Sequence, residues 1–188
     1  KKIIESKLNA VVTIKWTSTE DHRVKPGENK LPEVFKGDFS KGYDVVFHNH
    51  CHVKFKDDDA IDKVIDNHIK NKVGVIMTHG TFHTWRKTKR EAWDRLCGLN
   101  CTSHGQQSPI KVEIEDKNHP VTKALGVSGW TTKEGELYFT KLKSTTTSLA
   151  KGTTLKGKAH THSCVFAHEL EGIRVFGTTL GHHTSTME

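Results

Sequence analysis

No apolar run in this chain approaches the roughly 20 residues that span a bilayer, which excludes a helical membrane anchor within it. Cysteine is scarce: Cys51, Cys97, Cys101 and Cys164 include no C-x-x-C pair, so neither a disulfide-dense scaffold nor a thioredoxin-type redox motif is encoded, and no C-x-x-C-H attaches a haem. Charge of one sign is never concentrated. The 29 Lys and Arg outnumber 22 acids for a net charge of +7, yet they alternate with acids, as in Lys54-Phe55-Lys56-Asp57-Asp58-Asp59, and form no stripe of the kind that marks a nucleic-acid face. There is no internal repeat, low-complexity tract or interdomain linker. With 34% hydrophobic residues in 188, one globular domain with a full core is expected. The chain has no initiating Met or signal peptide, and Lys1 to Lys7 reads as the end of an amphipathic helix, so a trimmed amino terminus is expected; cytoplasmic and periplasmic locations both stay open.

What the chain has in excess is histidine, 14 in all. Three apolar runs end in it. Tyr43-Asp44-Val45-Val46-Phe47 leads to His48-Asn49-His50; Lys72 to Thr78 leads to His79-Gly80 with His83 following; Arg174 to Leu180 leads through Gly181 to His182-His183. In an open α/β sheet the carboxyl ends of parallel strands line the crevice where ligands bind, so these side chains can converge from distant points in sequence.

The elements alternate. Ala10 to Ile14 is β-branched and predicts a strand, followed by a loop with Pro26, Gly27, Pro32 and Gly37. Tyr43 to His48 and Val73 to Thr78 read as buried parallel strands. Between them Asp57-Asp58-Asp59 starts a helix with Ile61, Val64, Ile65, His68 and Ile69 on one face. Lys87 to Leu96 predicts a second helix with Trp93 and Leu96 inward. Further on, Ile110 to Ile114 and Glu136 to Leu142 read as strands, and Thr161 to His168 joins Ile173 to Thr179 in a hairpin. The fold class expected is α/β: a three-layer, doubly wound, mainly parallel sheet of the flavodoxin-like kind, with an antiparallel edge hairpin.

His79 and His83 stand four apart, the spacing that puts two imidazoles on one helix face, and His182 or His183 arrives from another strand; neighbours on a strand point to opposite faces, so one of the two enters the cavity. Two readings stay open. In one, His79, His83 and His182 hold a divalent metal such as zinc, iron or manganese with an open position; in the other they line a hydrogen-bonded polar pocket without metal. His48 and Asn49 stand at the rim of the crevice, and Trp85 is a candidate aromatic wall for a sugar ring.

Several segments in order resemble the trehalose-utilisation (ThuA-like) family of the class I glutamine-amidotransferase-like fold group: Val75-Ile76-Met77-Thr78-His79-Gly80-Thr81-Phe82-His83, Thr102-Ser103-His104-Gly105, Asn118-His119-Pro120-Val121-Thr122, Trp130 to Tyr138, and Gly177 to His183. Coverage runs from about Tyr43 to the end as one domain over 1–188, trimmed at both ends relative to the family. The resemblance implies carbohydrate catabolism, around trehalose-like disaccharides and their 3-keto derivatives, with a small carbohydrate as partner and homo-oligomerisation open. It also singles out Glu136 as the carboxylate beside catalytic His79, His182 and His183, and His104 and Tyr138 as substrate contacts. Where the fold group carries a nucleophilic cysteine at a strand-to-helix elbow, this chain has His79, so thioester chemistry is excluded there. Sugar hydrolysis or isomerisation, by acid/base or metal-assisted steps, is the expected activity; a non-catalytic carbohydrate-binding or assembly domain is the alternative.

Overall fold

The computed structural model describes residues 2–15, 33–53, 55 and 57–186. Its centre is a seven-stranded mixed sheet. Three strands are parallel and adjacent: β1 (Val45–His48), β2 (Gly74–Thr78) and β9 (Ile173–Thr178), in register through Phe47 with Ile76 and Ile76 with Phe176. Beyond β9 every pairing is antiparallel, through β8 (Thr161–Leu170), β7 (Thr146–Thr154), β4 (Ile110–Ile114) and β5 (Gly129–Thr131). The antiparallel part is therefore broader than an edge hairpin. A separate two-stranded sheet joins β3 (Leu99–His104) to β6 (Tyr138–Leu142).

Helix α2 (Asp58–Asn71) forms as its sequence predicts. Asp57 caps it by accepting from the Ala60 N–H at 3.1 Å, and Ala60, Ile61, Val64, Ile65 and His68 form its buried face. Helix α3 (Glu91–Cys97) buries Trp93 and Leu96 and stops at Gly98, whose φ of 73° is the left-handed conformation that ends helices. Both helices share one apolar core with Val75, Met77 and Val175 of the parallel strands. On the opposite face of β1, Val45 and Phe47 are each 45% exposed. A second core gathers Ile110, Val112, Leu137, Leu149 and Cys164 under the antiparallel strands. The β8–β9 hairpin turns on Glu171 and Gly172, both at positive φ (48° and 82°), the geometry of a two-residue type I′ turn.

Some sequence expectations need correction. The amino-terminal helix α1 (Lys2–Leu8) forms, but Ala10 to Ile14 is not a strand: Val11 is 95% exposed and no neighbour pairs with it among the described residues. β-branched residues without a partner edge have nothing to make them a strand. Gly37 lies in a turn as expected, whereas Pro26, Gly27 and Pro32 fall outside the described residues. Strands β3 and β7 and the short helix α4 (Pro120–Leu125) were not legible in the chain.

Candidate functional site

β2 ends in a sharp elbow. Thr78 is extended (φ −129°, ψ 145°), and His79 then takes φ 37°, a left-handed conformation that costs a side-chain-bearing residue about 1–3 kcal/mol and recurs at functional turns. Gly80 lets the chain pass close to the loop after β1, since a Cβ there would sit 3.1 Å from the Cys51 Cβ. The residues 79–83 form a 3₁₀ turn rather than an α-helix. At three residues per turn, positions four apart lie roughly 120° apart around the axis instead of sharing a face. That is why His79 and His83 part company.

β9 supplies the second histidine-bearing loop. Gly177 is needed where the Phe166 ring packs onto the strand, since a Cβ would lie 2.4 Å from it. The chain then leaves the sheet, and Gly181 at φ 115° turns it so that His182 faces back toward the elbow. The third element is an isolated two-residue ladder: Ser108 and Gly135 exchange backbone N–H···O bonds of 2.9 Å, which holds Gln107 and Glu136 side by side.

These three pieces bring His79, His182 and Glu136 together. The His79 Nε2 lies 3.1 Å from His182 Nδ1 and 3.6 Å from Glu136 Oε2, and His182 Nδ1 lies 3.2 Å from the same carboxylate oxygen. The opposite ring nitrogen, His79 Nδ1, donates to the Thr179 carbonyl at 2.9 Å, so the Nε2 lone pair points into the cluster. Tyr138 Oη is 3.2 Å from that Nε2, and His104 Nδ1 stands 3.7 Å from Glu136. Gln107 reaches His182 Nε2 from the far side at 2.9 Å.

Burial lowers the His79 pKa; His182 and His104 act in the same direction, while the Thr179 carbonyl and Glu136 oppose them. Its imidazole is thus neutral and available as base or ligand at neutral pH. Burial, reinforced by Glu136, raises the Tyr138 phenol above its ordinary value, so it remains an O–H donor. The ring of His83 stacks on Tyr138 at 4.0 Å and 7° and holds it in place.

The remaining expected site residues separate clearly. His83 is 3% exposed and turns its Nε2 to the Cys101 thiol at 3.4 Å, so it stands outside the His79–His182–Glu136 cluster. Burial pushes that thiol up to about 12, leaving it protonated. His183 packs edge-on against His182 and turns its Nε2 to Gln107, while His182 faces the cluster from a turn rather than a strand. His104 and Tyr138 stand beside Glu136 and His79, and Asn49 accepts from Thr78 Oγ1 at the strand end. His48 and Trp85 are corrected: at 2% and 0% exposed they belong to the core. The buried face of a short parallel strand takes any side chain it points inward, and β1 points His48 inward. Gln107 and the Thr179 carbonyl had no local signal in the sequence, because strand ends and a two-residue ladder bring them to the site.

A mixed α/β sheet whose parallel strands β2 and β9 run out into His79 and His182, with Glu136 brought beside them by a short ladder, defines an α/β protein with a histidine-bearing elbow. The chain belongs to the trehalose-utilisation family, whose profile matches residues 4–188. Among solved structures it is similar to a ThuA-like protein from Parabacteroides merdae, at 22% identity and TM-score 0.61, covering 78% of this chain and 62% of that one. A ThuA-like protein from Bacteroides uniformis is similar at 16% identity and TM-score 0.61, covering 79% and 64%. The chain thus spans under two thirds of either protein. A β-galactosidase from Rahnella sp. R3 shares the fold at 10% identity and TM-score 0.56, over 81% of this chain and 22% of that one. No curated protein matches the sequence. Among the described residues no helix is long and apolar enough to cross a membrane.

Proposed function

We propose that His79, His182 and Glu136 hold a divalent metal and that the site acts on a small carbohydrate, a trehalose-like disaccharide or its 3-keto derivative, by hydrolysis or isomerisation. The observation that carries this reading is the mutual spacing of the three donor atoms, 3.1, 3.2 and 3.6 Å. Metal–ligand bonds of about 2.0–2.2 Å put neighbouring ligand atoms about 2.8–3.1 Å apart at octahedral angles and about 3.3–3.6 Å apart at tetrahedral ones, so the three atoms fit one face of a coordination polyhedron with little movement. Two imidazoles and one carboxylate suit zinc, iron or manganese. The Thr179 carbonyl gives His79 the outer-shell acceptor that metal-bound histidines favour.

A bound cation would supply Lewis-acid polarisation of a sugar carbonyl or hydroxyl. The protein supplies the rest. Tyr138 keeps its proton and can donate to a substrate oxygen next to His79. His104, exposed at the rim, directs Nδ1 to the Gly105 carbonyl at 2.8 Å and lies 3.7 Å from Glu136, which leaves its other nitrogen free to meet a sugar hydroxyl. The family relationship supports the carbohydrate class.

The test starts with elemental analysis of protein purified without a metal-binding tag, repeated for His79→Ala. Near-stoichiometric metal lost in the variant, with turnover of a 3-keto-disaccharide lost in parallel, is the expected result. Metal-free protein that still turns over the sugar would replace this reading with acid/base catalysis. Binding of the disaccharide without turnover and unaffected by chelator would favour a carbohydrate-binding domain.

A further inference from the structure

Gln107 faces solvent, yet both ends of its amide are engaged. As placed, its nitrogen lies 2.9 Å from His182 Nε2 and its oxygen 3.4 Å from His183 Nε2. Its backbone is fixed by the Ser108–Gly135 ladder, the same device that fixes Glu136 one residue further on the opposing strand. The amide thus belongs to the same rigid piece as the carboxylate.

A neutral imidazole carries one N–H and one lone pair, and what faces one ring nitrogen decides which the other presents. With the amide N–H donating to His182 Nε2, the ring proton sits on Nδ1 and points at Glu136. Turned by 180°, the amide oxygen accepts from His182 Nε2–H instead, and Nδ1 presents a lone pair toward His79 and Glu136. Only the second arrangement can ligate. Oxygen and nitrogen of an amide are nearly isosteric, so both orientations fit the same space. His183 accommodates either: it donates to the oxygen in the first and accepts from the nitrogen in the second.

We infer that Gln107 is a positioning residue which sets the tautomer of His182, its amide donating when the cluster is held by protons and accepting when His182 Nδ1 serves as a ligand. The inference rests on the metal reading for its consequence but not for its direct observable, the tautomer itself. A carboxylate at this position can only accept, so Gln107→Glu locks His182 in the ligating form, whereas Gln107→Ala removes the control.

The experiment uses the full chain, with zinc and manganese each titrated as the metal alone, and long-range ¹H–¹⁵N spectra of the histidine rings recorded in the metal-free protein. Gln107→Ala is expected to lose about 10–100-fold in metal affinity, the usual cost of removing an outer-shell partner, while Gln107→Glu keeps or exceeds the parent affinity. The ring spectra should show His182 with its proton on Nδ1 in the parent and on Nε2 in Gln107→Glu. An alanine variant with parental affinity and an unchanged His182 tautomer overturns the inference, and so does a glutamate variant as weak as the alanine one, which would mean packing rather than proton control. If the parent protein takes up neither metal, the metal reading falls and the tautomer shift alone decides the inference.

Discussion

The molecule contains two histidine clusters at neighbouring strand ends, and they solve opposite problems. At the end of β1, His48 contacts His50 at 3.1 Å and His68 at 2.9 Å, inside a wall of Phe35, Trp85 and Trp93. At the ends of β2 and β9, His79 and His182 meet a carboxylate and retain access to solvent, with side-chain exposures of 15% and 28%. In the first cluster His48 and His50 have imidazoles and a threonine hydroxyl as polar neighbours, so burial holds both well below the ordinary histidine pKa, His50 to about 3, and burial takes His68 to about 4 although the Val73 backbone opposes it. In the second, Glu136 and the Thr179 carbonyl oppose that fall. Proximity of histidines is therefore not by itself a site. A counter-charge, a fixed tautomer and an open side make the difference.

The sharpest way to break this comparison is to remove one histidine from each. His79→Gln should lower metal affinity by more than the roughly 10–100-fold that loss of an outer partner costs, and abolish turnover, while shifting unfolding free energy by within about 1 kcal/mol. His48→Ala should do the reverse: it leaves a cavity and strips the polar partners of His50 and His68, for a loss of about 2–5 kcal/mol in denaturant unfolding with metal stoichiometry unchanged. If His48→Ala instead loses the metal at full stability, the division between core and site is wrong.

Acid separates the clusters next. The unfolded chain takes up protons at each histidine near pH 6.5, whereas His50, His68 and His83 do so only at about 3, 4 and 3 in the folded state. Between those limits the unfolded state binds more protons, so this part of the stability is complete above pH 6.5 and declines as pH falls toward 4, by about 1.4 kcal/mol per pH unit for each such imidazole. His50→Phe, which suits its aromatic surroundings, should flatten the slope of melting temperature against pH between 6.5 and 4.5. An unchanged slope would place the acid sensitivity elsewhere.

The contrast also shows what can be read from residues alone. The strands ending at His48, His79 and the Gly181 turn were legible because parallel strands buried on one face are dense in Val, Ile and Met, and helix α2 because its caps and its stripe agree. That His79 and His182 would converge follows from the strand ends. The exchange of His83 for Glu136 does not, since it turns on whether five residues wind as 3₁₀ or α, which the spacing of the two histidines leaves open. The fate of His48 was hidden for a similar reason: alternation along a strand says that neighbours diverge but not which face is inside. Strand β7, rich in Thr and Ser, is held by its neighbours β4 and β8 and carries little apolar signal of its own.

The smallest expected effect concerns the elbow. A left-handed backbone is tolerated by glycine and strained for any residue with a Cβ, so the φ of 37° at His79 opposes folding whatever its imidazole does. His79→Gly should therefore be more stable than His79→Ala by about 1 kcal/mol, although both lack the ring. The two variants remove the same hydrogen bonds to Thr179 and Tyr138, so their difference in thermal or denaturant unfolding isolates the backbone term. Equal stabilities would mean that the turn relaxes once the imidazole is gone, and that the strain is imposed by the cluster rather than by the path of the chain. A glycine advantage would mean that the fold holds the elbow by itself and that histidine occupies it at a cost only its chemistry explains.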